Sequence, residues 1–199
     1  MESKKLLIDF SSNTRNKDKD KDKDKEKHKK VEMEKERKKR VVTTTNQWIK
    51  NELTPQQELE LLQQIKNEQF LEKDKDKEKT PNDSQIKLVL QQLNYKIAGY
   101  RCQDIEKSKY NEEKFVTMEK IVDLLLSCNT ICYYCKKPTK ILYDFVREPQ
   151  QWTLDRMDND FGHNCDNVSI ACLQCNLRRK TMYHERYVFT KQMVITKTG

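Results

Sequence analysis

Apolar material and histidine are both scarce in this chain. Only 35% of its 199 residues are hydrophobic and the mean hydropathy is -1.04, too little to build one large core along the whole length. No stretch approaches the roughly eighteen consecutive apolar residues that a membrane span needs, so no membrane association is expected. The opening MESKKLLIDF is too short and too polar for a secretory signal, and the expected location is intracellular, nucleus or cytoplasm, not secreted. Histidine occurs 3 times: His28 lies in a charge run, His184 reads as a helix-surface residue, and His163 follows a glycine in a polar turn.

What the chain has instead is charge. Charged residues make up 36% of it, the net charge is +8 and the isoelectric point is about 9.0, a balance that favours a polyanionic partner. Residues 15–40 alternate Lys with Asp or Glu, and KDKDKEK recurs at 73–79. With nothing apolar to bury, such runs cannot offset their ordering entropy and read as solvated linkers. The less diluted KKVEMEKERKKR at 29–40 is also compatible with a localising or phosphate-contacting arm.

Between the charge runs the pattern becomes helical. Thr54, Pro55 and Gln57 form a capping box with proline at the first helical position, and Leu59, Leu61, Leu62 and Ile65 follow at helical spacing. This predicts an isolated amphipathic helix over 54–73 that could recruit a protein partner. A second helix is predicted from Ser84, ended or interrupted by Gly99. A third starts after Thr117, with Val116 and Ile121 as a hydrophobic staple and Val122, Leu125 and Leu126 on its buried face. Folded structure is expected from about residue 82 onward.

The most specific signal comes last. Cys132 and Cys135, then Cys172 and Cys175, form two Cys-x-x-Cys pairs, and two such turns can close a tetrahedron around one zinc. Reduced free thiols or a redox pair are the alternatives, although a redox pair stands alone. Cys102, Cys128 and Cys165 have no partner at ligand spacing. QWTLD (151–155) and NVSIAC (167–172) have strand character around a turn rich in Asp, Asn and Gly, and LQCNLRRKTMYHERY reads as one helix. The order is knuckle, strand, turn, strand, knuckle, helix.

These residues resemble the HNH endonucleases, the ββα-metal nucleases, in the members stapled by a four-cysteine zinc. The family's Asp-His, central Asn and Asn or His after the second pair are matched by Asp155-Arg156, Asn167 and Asn176, within about residues 130–185. The resemblance implies an α+β fold, a structural zinc, and a catalytic Mg2+ or Mn2+ held by Asp155 and Asn176 to neutralise the scissile phosphate. It implies that Asn167 holds the turn. Arg156 stands where the family has its general base and cannot accept a proton from water near neutral pH. His163 is then the leading candidate base, with Tyr183 and His184 behind it, while Arg156 would clamp the phosphate.

After the second pair the charge is one-signed. Arg178, Arg179, Lys180, Arg186, Lys191 and Lys197 face a single acid, Glu185, and Lys136, Lys137 and Lys140 flank the first pair. Such a track suits the backbone of double-stranded DNA and reads no sequence. The expected organisation is a mostly disordered region over 1–53, the helix at 54–73, a charged linker over 74–81, a helical lead-in over 82–130, and the HNH domain over 131–199 with a basic C-terminal helix and tail. The expected activity is metal-dependent hydrolysis of DNA phosphodiesters. The rivals are a zinc-dependent nucleic-acid-binding module that has lost cleavage and an interaction adaptor shaped by zinc.

Overall fold

A capping box opens the first helix. Thr54 N–H donates to Gln57 Oε1 at 2.8 Å and Gln57 N–H returns to Thr54 Oγ1 at 3.3 Å, which satisfies two otherwise orphaned ends. In this computed structural model, which describes residues 37–45, 48, 53–70 and 83–193, the helix is α1 (Pro55–Phe70). It is followed by α2 (Asp83–Glu106), α3 (Met118–Ser127), β1 (Trp152–Arg156), β2 (Val168–Cys172), α4 (Leu173–Arg179) and α5 (His184–Gln192). The chain divides into a unit of Arg37–Gln192 and another of Met1–Glu36 with Met193–Gly199; every element named here belongs to the first. The charge runs at 15–36 and 73–79, and Lys197, lie outside the described residues.

The architecture is α+β, with one two-stranded antiparallel sheet. β1 and β2 pair in the register Trp152↔Cys172 through Arg156↔Val168. The alternation sends Trp152 and Leu154, with Val168 and Ile170, into the same core as the helices. Among the described residues no helix is long and apolar enough to cross a membrane.

Helix α1 is not isolated. Leu61, Leu62 and Ile65 are buried with Ile86, Val89, Leu93, Ile121 and Leu125, and α1 contacts both α2 and α3. Its Glu58 is buried as well, accepting the N–H of Ile141 at 3.0 Å and of Leu142 at 3.1 Å. The apolar stripe and the buried carboxylate are both used inside the chain, so this face is not left for a partner. Folded structure also begins earlier than expected. The end of the basic run pairs with 144–146 through the bridge Lys39↔Phe145, and buried Arg40 donates to Tyr143 O and Gln92 Oε1.

Two helix limits differ from expectation. α2 runs through Gly99 because this glycine sits on the exposed side with open space around it, while Leu93 and Tyr100 anchor the helix on either side of it. The single helix expected after the second cysteine pair is broken into α4 and α5 at Lys180, whose φ is 53°. Arg179 turns inward there and donates to Met182 O, which folds the chain back.

Candidate metal centre and groove

The first cysteine pair sits in a tight turn, with Cys132 N–H donating to Lys137 O at 2.9 Å and Lys136 N–H to Cys132 O at 3.1 Å. Lys136 takes a positive φ of 57°. The second pair joins β2 to α4, with Cys172 as the N-cap residue and Cys175 within the first turn. Sulfurs bound at about 2.3 Å to one tetrahedral ion stand roughly 3.8 Å apart. The Sγ atoms of Cys135 and Cys172 are 3.8 Å apart, and all four lie within 4.8 Å of one another. This cluster fits a metal ion such as zinc. Among the described residues no other group of metal donors forms, and Cys102, Cys128 and Cys165 lie outside it.

The thiols of the cluster pull on one another. Hydrogen bonding from Cys172 draws the Cys132 thiol down to about 4, and the same pairing, with burial, pushes Cys172 up. A dication held here would take all four sulfurs as thiolates.

Tyr134, inside the first pair, ties this cluster to the hairpin. Its ring packs edge-on against Tyr187 at 4.9 Å, and its hydroxyl donates to Asp155 Oδ2. Asp155 is buried at the end of β1. Arg179 from α4, 1% exposed, completes its surroundings, with Nε 2.8 Å from Oδ2 and Nη2 donating to Oδ1 at 3.1 Å. The guanidinium also donates to Arg156 O and to Asn159 Oδ1. Arg179 therefore turns inward and is not the surface base that its place in the C-terminal basic run predicts: a buried carboxylate needs a buried cation.

The same pairing bears on the expected Mg2+ or Mn2+ site. Asn176 turns its amide N–H groups to Thr153 Oγ1 at 3.1 Å and Leu154 O at 3.2 Å. Asp155 has both oxygens engaged and its charge matched by Arg179. A hard dication needs anionic oxygen ligands, and in this arrangement Asp155 and Asn176 do not supply a free one. The donor set does not fit that ion while Arg179 stays in place.

Asp155, Arg156, His163, Asn176 and Lys180 nonetheless line one open groove of about 870 Å³, together with Lys107. Lys136, Lys137 and Arg178 are exposed but do not line it; Lys136 Nζ lies 5.0 Å from the Tyr133 ring centroid. Arg156 is partly buried, donates to Phe161 O at 3.3 Å and approaches Asp104 to 4.0 Å. Tyr183 and His184 do not line the groove.

Asn167 closes the turn between the strands. Its side chain donates to Asp158 O at 2.8 Å and to Gly162 O at 3.0 Å, and accepts from Asp158 N–H at 2.9 Å. His163, at the far side of that turn, is 4% exposed instead of lying in open solvent. Its Nδ1 is 2.8 Å from Asp104 Oδ1, and its ring lies 4.5 Å from that of Tyr100. Among the described residues Nε2 has no protein partner, and the ring borders the groove. Burial holds the imidazole below its ordinary pKa, outweighing the upward pull of Asp104.

Asp104, Tyr100, Tyr134 and Lys107 were not marked by the sequence reading. Asp104 had one available signal, since it continues the buried stripe of Val89, Leu93 and Tyr100 at helical spacing. An acid on an apolar face needs a partner. Comparison of the chain with protein-family models, curated proteins and solved structures returns no match.

Proposed function

We propose that the chain is a DNA endonuclease of the HNH kind, with a four-cysteine zinc as a structural staple. The observation that carries this reading is the groove in which a neutral imidazole and the cations Arg156, Lys180 and Lys107 border one space. An imidazole with an open nitrogen can take the proton from an attacking water, and fixed cations can hold a phosphate and stabilise its developing charge. The zinc holds the hairpin to α4 and stays out of the chemistry. A Mg2+ or Mn2+ requirement, which the resemblance implies, would need Arg179 to release Asp155.

A second reading, a nucleic-acid-binding module that has lost cleavage, is favoured by that same Asp155–Arg179 pair, which leaves no free carboxylate for a cation. Incubation of supercoiled plasmid with the full chain in Mg2+, in Mn2+ and without added ion separates the two. The nuclease reading expects nicked or linear product and a rate lowered on the order of 10² or more by His163→Gln. Salt-sensitive DNA binding with no product under any of the three conditions would establish the binding module instead.

A further inference from the structure

Asp104 and His163 are 59 positions apart in sequence yet meet at two points. Asp104 is fully buried at the C-terminal end of α2. Its Oδ2 accepts the backbone N–H of His163 at 2.6 Å while its Oδ1 lies 2.8 Å from Nδ1. A carboxylate only accepts, so an ionised Asp104 pairs with an Nδ1–H.

Three further features hold this geometry. Val116 N–H donates to His163 O at 2.9 Å, fixing the backbone from the opposite side. Tyr100 covers the ring. Residue 162 is glycine because a Cβ there would stand 2.7 Å from Asp104 Oδ2 and 2.4 Å from Lys109 O. Any side chain at 162 would crowd both the Lys109 carbonyl and the Asp104 carboxylate.

We infer that Asp104 is a positioning residue, holding His163 in the tautomer with its proton on Nδ1 and its lone pair on Nε2 turned to the groove. This rests on the nuclease reading and assigns that reading its base. In the step, the Nε2 lone pair takes a proton from water and the water oxygen forms a bond to phosphorus. The bond from phosphorus to the leaving ester oxygen breaks, the bonding pair goes to that oxygen, and a solvent proton neutralises it. The imidazolium stays opposite Asp104, which stabilises it. The charged and titratable groups acting on His163 are Asp104, Arg156 and Lys107, with Tyr100 against its face.

The test combines a variant with a measurement on the wild type. In Asp104→Asn the amide can donate to Nδ1 and push the proton to Nε2, removing the acceptor. Plasmid cleavage should fall on the order of 10²-fold. The acid limb of the pH–rate profile should move to lower pH, because the lost carboxylate no longer raises the imidazole. In the unmodified protein, ¹⁵N spectra of labelled histidine should show neutral His163 protonated at Nδ1, a readout that survives if the variant fails to fold. A wild-type ring protonated at Nε2, or Asp104→Asn cutting with an unchanged profile, overturns the inference and leaves the nuclease reading standing. No cleavage by the wild type overturns both.

Discussion

Asp155 and Asp104 are both buried carboxylates, and they are used in opposite ways. On the cysteine side, Asp155 meets the Arg179 guanidinium and the Tyr134 hydroxyl, whose pKa burial pushes up, and its charge is spent on joining β1 to α4 and to the first knuckle. On the α2 side, Asp104 meets His163, whose ring borders the groove. A guanidinium quenches a carboxylate, whereas an imidazole passes its influence on, because it can gain and lose a proton near neutral pH. What a buried acid does is decided by the titration of its partner.

The largest expected effect breaks the cysteine side. Cys175→Ser, or chelation, removes a tetrahedral ligand set whose binding energy in small zinc domains is about 10 kcal/mol or more. Loss of bound zinc should lower protection most in the hairpin and α4 and less in α1, α2 and α3, which share a core with the hairpin but also pack on one another. Amide exchange by residue would show this; equal protection throughout would refute a staple role. Arg179→Met comes next. It leaves Asp155 buried and unpaired, at a cost of about 3–5 kcal/mol, and Asp155→Asn in the same chain should recover much of it. Denaturant titration of the two variants decides whether the pair is structural. If Arg179→Met stayed folded and cut DNA faster in Mg2+, Asp155 would be a metal ligand held in reserve.

Gly162→Ala attacks the α2 side with a smaller cost. Overpacking in a tight site costs about 1–3 kcal/mol, and the clash with Asp104 should release His163 from its tautomer. Calorimetry gives the stability loss and the ¹⁵N histidine spectrum the tautomer. An unaltered spectrum would show that Asp104 does not need the glycine.

These two sides were unequally legible. The cysteine pairs, the hairpin strands and the polar turn are local patterns, and the α1 and α3 caps are readable from four-residue windows. Asn167 lies within ten residues of everything it bonds. The groove was only half visible, because Asp104 acts on His163 from behind it, on a stretch of helix beyond the Gly99 where the sequence suggests an end or interruption, and Arg179 reads as one more base in a basic run. Both are long-range choices made by burial, which sequence periodicity reports weakly. The packing of α1 is hidden for a related reason: the residues that cover it, Ile86 and Leu125 among them, come from α2 and α3, and periodicity shows that a face is apolar but not which face it meets.

The smallest effect sets the two glycines of the groove side against each other. Gly99 lines the groove in the middle of α2, with open space where a Cβ would go, and its φ is not positive. Alanine there restricts the unfolded chain and favours helix, a gain of about 0.5–1 kcal/mol. Thermal unfolding should therefore move up in Gly99→Ala and down in Gly162→Ala. Under the nuclease reading, cleavage divides them again. Gly99 touches neither Asp104 nor His163, so its variant should keep the wild-type pH profile even if an added methyl in the groove weakens DNA binding. A loss of cleavage in both variants with the same altered profile would mean that the groove as a whole, and not the carboxylate–imidazole pair, sets the proton chemistry.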